Sequence, residues 1–208
     1  MKLSKLTEST RVKGRYLLYL EDGTLLKVTE NEVVEFSLYA GMELPDRALE
    51  QLKEAAGASA AKRRAINMLT LRPLSRKELV KKLTEKGEEP ENAQEAADYA
   101  ERLGFLNDEE YAHQVVRHYT AKSYGPRKIQ DELYRRGVPR EFWEEAMAEA
   151  DAPDDKLDAF VTQKLKGCTP DRAQLKKVSD ALARRGYGWS DISAALRRYE
   201  PNLEDDIE

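Results

Sequence analysis

Two histidines, one cysteine and a large stock of carboxylates are where a search for chemistry in this chain begins. His113 and His118 stand five residues apart, so they do not share the helix face that a pair at four would, and neither belongs to an HExxH pattern. Cys168, in KLKGCTPDR, has no histidine near it in sequence and reads as a small turn residue. As a single cysteine it excludes an internal disulfide and a multi-cysteine metal site. The carboxylates sit among helical charges with nothing beside them to raise a pKa, and no GxxxxGK[ST] or GxGxxG stretch is present to cradle a phosphate. A nucleophile, a proton-transfer group and a pocket are all missing from the pattern. The expectation is a protein that is not an enzyme, with no catalytic residue, no metal site and no cofactor.

The remaining chemistry is that of cations. The stretch SYGPRKIQDELYRRGVPREFWEEA, 123–146, places Arg127, Lys128, Arg135 and Arg136 around an apolar pair, Ile129 and Leu133. Guanidinium groups suit paired contacts to carboxylates or phosphates. Net charge is only −4, so total charge does not point to nucleic acid, but the distribution is uneven. Lys62 to Lys86 holds nine Lys/Arg against Glu78 and Glu85, and Arg117 to Arg140 holds seven against Asp131 and Glu132. Acids collect in 141–158 and in the tail EPNLEDDIE. Such segregation favours a polyanionic or acidic-faced partner over a uniformly solvated surface.

The elements that carry these cations repeat. LVKKLTEKG (79–87), IQDELYRRG (129–137) and VSDALARRG (178–186) align at offsets of 50 and 49 residues, with Leu79/Leu83/Gly87, Ile129/Leu133/Gly137 and Val178/Leu182/Gly186 in register. A period of that length signals stacked units. Each unit reads as a first helix (near 61–71, 108–122 and 154–166), the glycine-ended basic helix, and a third helix (near 91–103, 140–149 and 189–199). Trp143 and Ile192 occupy one place in units two and three and read as anchors of the third helix. Ser75 with Glu78 forms a capping-box pattern, Pro126 suits the first turn of a helix, and Asn107 or Asp108 suits a cap.

The first sixty residues have another texture. RYLLYLEDGTLLKVTENEVVEFSL reads as a β-hairpin, strands near 12–20 and 24–29, then a strand or short helix around 33–38. A hairpin alone is marginal in water, so a helix from LPDRALEQLKEAA, capped by Asp46, is expected to pack on it, with AAGASAA as a hinge beyond. The predicted fold is mostly α: tandem three-helix repeats forming an elongated array, with a small N-terminal β-hairpin-containing α+β extension. The expected divisions are 1–59, then units 60–106, 107–152 and 153–208. No apolar run of membrane-spanning length and no signal-peptide core occurs, so a soluble, cytoplasmic chain with no membrane partner is expected.

Three binding readings fit. SRKELVKKLTEKG resembles the second helix of a helix-turn-helix, which would make the chain a DNA-binding regulator. Against it, the same helix recurs three times with its apolar pair, and aromatics able to stack on single strands are few, chiefly Tyr119, Tyr124 and Tyr134. An array of units gripping an extended protein partner through several contacts in series is the second reading. A helical scaffold for some other partner is the third.

LxxRPLSRKELVKKLTEKG, followed by GFLNDEEYA (104–112), GPRKIQDEL (125–133) and RRGV (135–138), strongly resembles the RecX regulatory proteins from about residue 60 onward. The resemblance implies tandem three-helix repeats that bind the RecA recombinase, dock in the groove of its filament on DNA, and lower its ATP hydrolysis, strand exchange and coprotease activities. It also implies weak contact with single- or double-stranded DNA and no cofactor; a monomer is expected. Carried over by position, the implied contact residues are Arg72, Arg76 and Lys77 in the first unit and Arg117, Lys122, Arg127, Lys128, Arg135 and Arg136 in the second.

Overall fold

A computed structural model describes residues 1–149, 153–166 and 170–199, with 153–156 as backbone only. Cys168 and the acidic tail 200–208 lie outside the described residues. The architecture is mostly helical with a small antiparallel sheet at the N-terminus.

The sheet has three strands in the order β1 (Leu3–Glu8), β2 (Arg15–Leu20) and β3 (Leu25–Thr29). The expected hairpin is therefore β2–β3, and β1 is an addition to it. Leu3 pairs with Leu20 and Glu8 with Tyr16, with an irregularity between Leu3 and Lys5. Gly23 turns the hairpin at φ +86°, and the Asp22 carboxylate accepts from the Thr24 amide at 2.9 Å. The segment around Val33 is a short helix, α1 (Glu30–Glu35), rather than a strand. Its Glu32 folds back onto the Thr29 amide and hydroxyl in a capping box and is buried.

One helix, α2 (Asp46–Leu71), runs 26 residues without a break, so the expected hinge at AAGASAA is helix interior. Pro45 stands at its cap, and Asp46 is the first helical residue, not the cap. The small residues of that run serve close packing. A Cβ on Gly57 would stand 3.0 Å from the Asn92 side chain, and the Ser59 hydroxyl donates to buried Glu32. The N-terminal half of α2 closes the sheet's core with Leu49, Leu52 and Ala56 against Leu3, Leu18, Leu20 and Val28. Its C-terminal half packs on α4 (Pro90–Arg102), and the two bury Ala61, Ala65, Ala93, Ala96, Ala97 and Ala100. Alanine on both helices lets them lie close. Between them in sequence, α3 (Arg76–Glu85) buries Leu79 and Leu83.

By its contacts the chain divides into two units, one of residues 1–73 and 78–106, the other of 74–77 and 107 onward. The second contains α5 (Asp108–Ala121), α6 (Pro126–Arg135), a 3-10 turn (Arg140–Phe142) leading into α7 (Trp143–Ala148), then α8 (Pro153–Leu165), α9 (Arg172–Arg184) and α10 (Trp189–Leu196). Two cores lie in it. Ile129 and Leu133 sit with Tyr111, Val115, Val116 and Ala146. Val178 and Leu182 sit with Leu157, Val161, Tyr187 and Ile192. Trp143 is half-buried against the first core and donates its indole N–H to the Val138 carbonyl at 3.0 Å. Ile192 is buried in the second. Pro126 opens α6 at a position whose missing amide hydrogen costs nothing, and Asn107 caps α5 by accepting from the Glu110 amide at 2.9 Å.

Among the described residues no helix is long and apolar enough to cross a membrane.

Candidate partner-binding surface

The three glycine-ended helices α3, α6 and α9 carry the cations, and the start of one meets the end of the next by one recurring joint. The Gly125 amide donates to the Arg185 carbonyl at 2.8 Å, and the Arg127 amide donates to the Gly186 carbonyl at 3.1 Å. Fifty residues earlier, at the position equivalent to Gly125, the Ser75 hydroxyl donates to the Arg136 carbonyl. The fit is tight. A Cβ on Gly125 would lie 2.5 Å from the Tyr187 nitrogen, and one on Gly186 would lie 2.3 Å from the Lys128 nitrogen. At Gly137 the neighbour is the aliphatic stem of Lys77, 2.7 Å from the same hypothetical atom. Gly137 and Gly186 have φ of +70° and +88°, the left-handed turn that ends a helix, and so glycine is required there for conformation as well as for space.

Of the nine residues implied by the resemblance, Arg72, Arg117, Lys128, Arg135 and Arg136 are engaged by carboxylates. Arg72 pairs with Glu78 at 2.6 Å, and Arg117 pairs with Glu110 at 2.7 Å and Glu149 at 3.4 Å. Lys128, Arg135 and Arg136 converge on Glu132, whose side chain is only 7% exposed; Lys128 stands 3.3 Å from one oxygen and Arg136 3.6 Å from the other. Burial by itself would raise the Glu132 carboxyl. Hydrogen bonds from Arg135, Tyr119 and Lys128 outweigh it and hold the group at about 2. Arg136 is half-buried, donates to the Tyr111 hydroxyl at 2.8 Å and lies 5.9 Å from the Tyr119 ring centroid. Burial works against its charge, but the tyrosine hydroxyls prevail and raise its pKa. Arg185, which follows α9 as Arg136 follows α6, is also an internal brace. It reaches the Lys122 and Ser123 carbonyls at 3.0 and 3.1 Å, with the Tyr124 and Phe160 rings 5.4 and 4.6 Å away. Arg76 is half-buried, its amide donating to Asp108 at 2.7 Å.

The other three, Lys77, Lys122 and Arg127, are exposed, and among the described residues no carboxylate lies within ion-pair distance of them. Lys77 and Arg127 occupy the same place, the second residue of α3 and of α6. The 49-residue offset carries that place to Lys176 on α9, also exposed and without an ion pair among the described residues. Lys176 is absent from the set implied by the resemblance, although the repeat offset alone identifies it. Tyr134, one of the three aromatics singled out for stacking, is 71% exposed, whereas Tyr119 and Tyr124 pack on each other at 5.4 Å, half-buried. His113 is buried and His118 is exposed.

Two family models match the chain, the first three-helix domain of RecX over residues 61–99 and the second over residues 107–147. A Regulatory protein RecX from Xanthomonas campestris pv. campestris (strain B100) is 37% identical over 136 residues, which cover 64% of this chain and 84% of the relative. Another from Streptococcus gordonii is 27% identical over 207 residues, covering 98% and 80%. Among solved structures, one described as the crystal structure of regulatory protein RecX superimposes with a TM-score of 0.73 at 23% identity, over 95% of this chain and 98% of that one. RecX from Lactobacillus salivarius gives 0.64 at 21% identity, over 70% and 98%; at such identities the likeness speaks to the fold. With the repeat period, the joints and these matches together, the chain belongs to the RecX family of regulatory proteins.

Proposed function

We propose that this protein binds the RecA recombinase filament on DNA and lowers its ATPase, strand-exchange and coprotease activities. It acts in the cytoplasm as a monomer and by binding alone, with no chemistry or cofactor of its own. Its contact with DNA is weak and unselective. The units are an N-terminal extension, 1–59, and three-helix repeats at 60–106, 107–152 and 153–208.

One observation supports this reading most directly. Lys77, Arg127 and Lys176 stand at the same position of successive basic helices, exposed and without a neutralising carboxylate among the described residues. Arg72, Arg117, Lys128, Arg135 and Arg136 are already engaged by carboxylates, whereas Lys77, Arg127 and Lys176, like Lys122, are open to an external anion. A cation repeated once per unit suits a partner that itself repeats, such as a protein filament with its phosphate backbone, since several modest contacts in series add by avidity. On this reading Lys77, Lys122, Arg127 and Lys176 make the contact, with Arg72, Arg117, Lys128, Arg135 and Arg136 shaping and charging the helices behind them.

The test is ATP hydrolysis by RecA on single-stranded DNA. Substoichiometric amounts of this protein should slow it. Unchanged hydrolysis over a wide ratio, with filaments demonstrably present, would refute the proposal. Sequence-selective duplex binding that survives moderate salt would favour a helix-turn-helix-like DNA-binding regulator instead.

A further inference from the structure

A second cluster of side chains lies away from the basic joints, between α5 and α7. Glu109 and His113 are four residues apart on α5 and so share one face, and Glu145 projects from α7, which packs against it. One ligand atom from each of these three residues falls within 4.8 Å of the others. Glu109 and Glu145 are exposed, and among the described residues neither has a cation within ion-pair distance. The His113 side chain between them is 11% exposed.

That imidazole is poorly provided for. A Glu149 oxygen lies 3.0 Å from its Nδ1, yet Nδ1 makes no aligned hydrogen bond. The distance is short but the geometry is not that of a hydrogen bond, and the nitrogen stays unsatisfied. Glu149 is also shared with Arg117 at 3.4 Å, which weakens its hold on the ring. A buried polar atom left without a bond costs free energy, and a native fold normally supplies a partner.

We infer that Glu109, His113 and Glu145 form a binding site for one divalent first-row transition-metal ion, of the zinc or cobalt class, that staples α5 to α7. One imidazole nitrogen with two carboxylates is a donor set for such ions, whereas calcium and magnesium take oxygen alone. Water completes the coordination at the exposed side. The set is private to this unit. The equivalent positions one repeat earlier are Ser59, Arg63 and Glu95, and one repeat later Asp158, Thr162 and Ala194, so the frame of the repeat does not require it.

Titration of the full-length chain with zinc chloride by calorimetry, and with cobalt chloride by visible absorption, tests the site. One ion per chain is expected, with a tetrahedral or five-coordinate cobalt spectrum and a raised Tm in excess metal. Glu109→Gln and Glu145→Gln change exposed side chains and leave the fold intact; each should weaken binding about tenfold or more, while His118→Ala should leave it unchanged. Absence of binding by the wild type in excess zinc overturns the proposal. So does binding that survives both glutamine variants or is lost with His118.

Discussion

The Arg127 amide donates to the Gly186 carbonyl at 3.1 Å, joining the start of one basic helix to the end of the next. Beside it, the Gly125 amide holds the Arg185 carbonyl at 2.8 Å, and neither contact leaves room for a Cβ on Gly125 or Gly186. The glycines of these repeats therefore do two things. They end helices, and they let the next helix's first turn approach the backbone directly.

Replacing Gly125 with Ala isolates the steric part. Its φ of −79° is ordinary, so the loss comes from the 2.5 Å approach to the Tyr187 nitrogen, which has backbone on both sides and cannot yield cheaply. A destabilisation of about 1–3 kcal/mol is expected by urea denaturation. Gly87→Ala is the comparison: with φ +85° and open space around its missing Cβ, it should show only conformational strain, roughly 1–2 kcal/mol. Gly186→Ala combines both effects and should be the worst of the three.

Glu132 makes stability depend on acid. Its carboxyl is held at about 2 when folded, against 4.5 for the free group. A depressed carboxylate stabilises the fold fully above the unfolded value, and the contribution is lost as pH falls from about 4.5 towards 2. Over that window the loss is on the order of 3 kcal/mol. Glu132→Gln removes the charge that gathers Lys128, Arg135 and Arg136 and should destabilise by about 3–5 kcal/mol at neutral pH, flattening the acid dependence as well. Denaturant melts at several pH values check both.

Ile129 and Leu133, fully packed at 1% and 0% exposure, belong to the frame. Either one changed to Ala should cost about 2–5 kcal/mol, measured by denaturation.

Arg127 and Arg136 should separate function from fold. Arg127→Ala removes an exposed cation with no carboxylate in reach among the described residues, and stability should stay within about 0.5 kcal/mol. Arg136→Ala deprives buried Glu132 and the Tyr111 hydroxyl of a partner and should destabilise measurably. Thermal melts of the two variants side by side decide it.

Much of this arrangement is written in residue spacing. The apolar pairs Leu79/Leu83, Ile129/Leu133 and Val178/Leu182 are all buried, because a four-residue step keeps them on one face while glycine fixes where each helix stops. The clasp on Glu132 also follows from spacing, since Lys128, Arg135 and Arg136 lie four, three and four residues away. What charge counting hides is that a cation can be consumed by its own helix. Other features depend on distant partners. β1 has no clean alternation, and its place comes from pairing with β2 and from the Leu3 amide reaching the Met42 carbonyl at 2.8 Å. The small residues of AAGASAA look like a flexible joint until α4 is seen against them. His113 reads as a surface or half-buried histidine, and its burial depends on α7 packing against α5.

On the proposed function, the unneutralised cations repeated along the basic helices carry binding to the RecA filament. Co-sedimentation with RecA filaments on single-stranded DNA tests it most directly, comparing the wild type with a Lys77→Glu, Arg127→Glu, Lys176→Glu variant whose helix content and melting are first shown to match. The wild type should pellet with the filaments and the variant should stay largely in the supernatant. A variant that pellets as well as the wild type would contradict it.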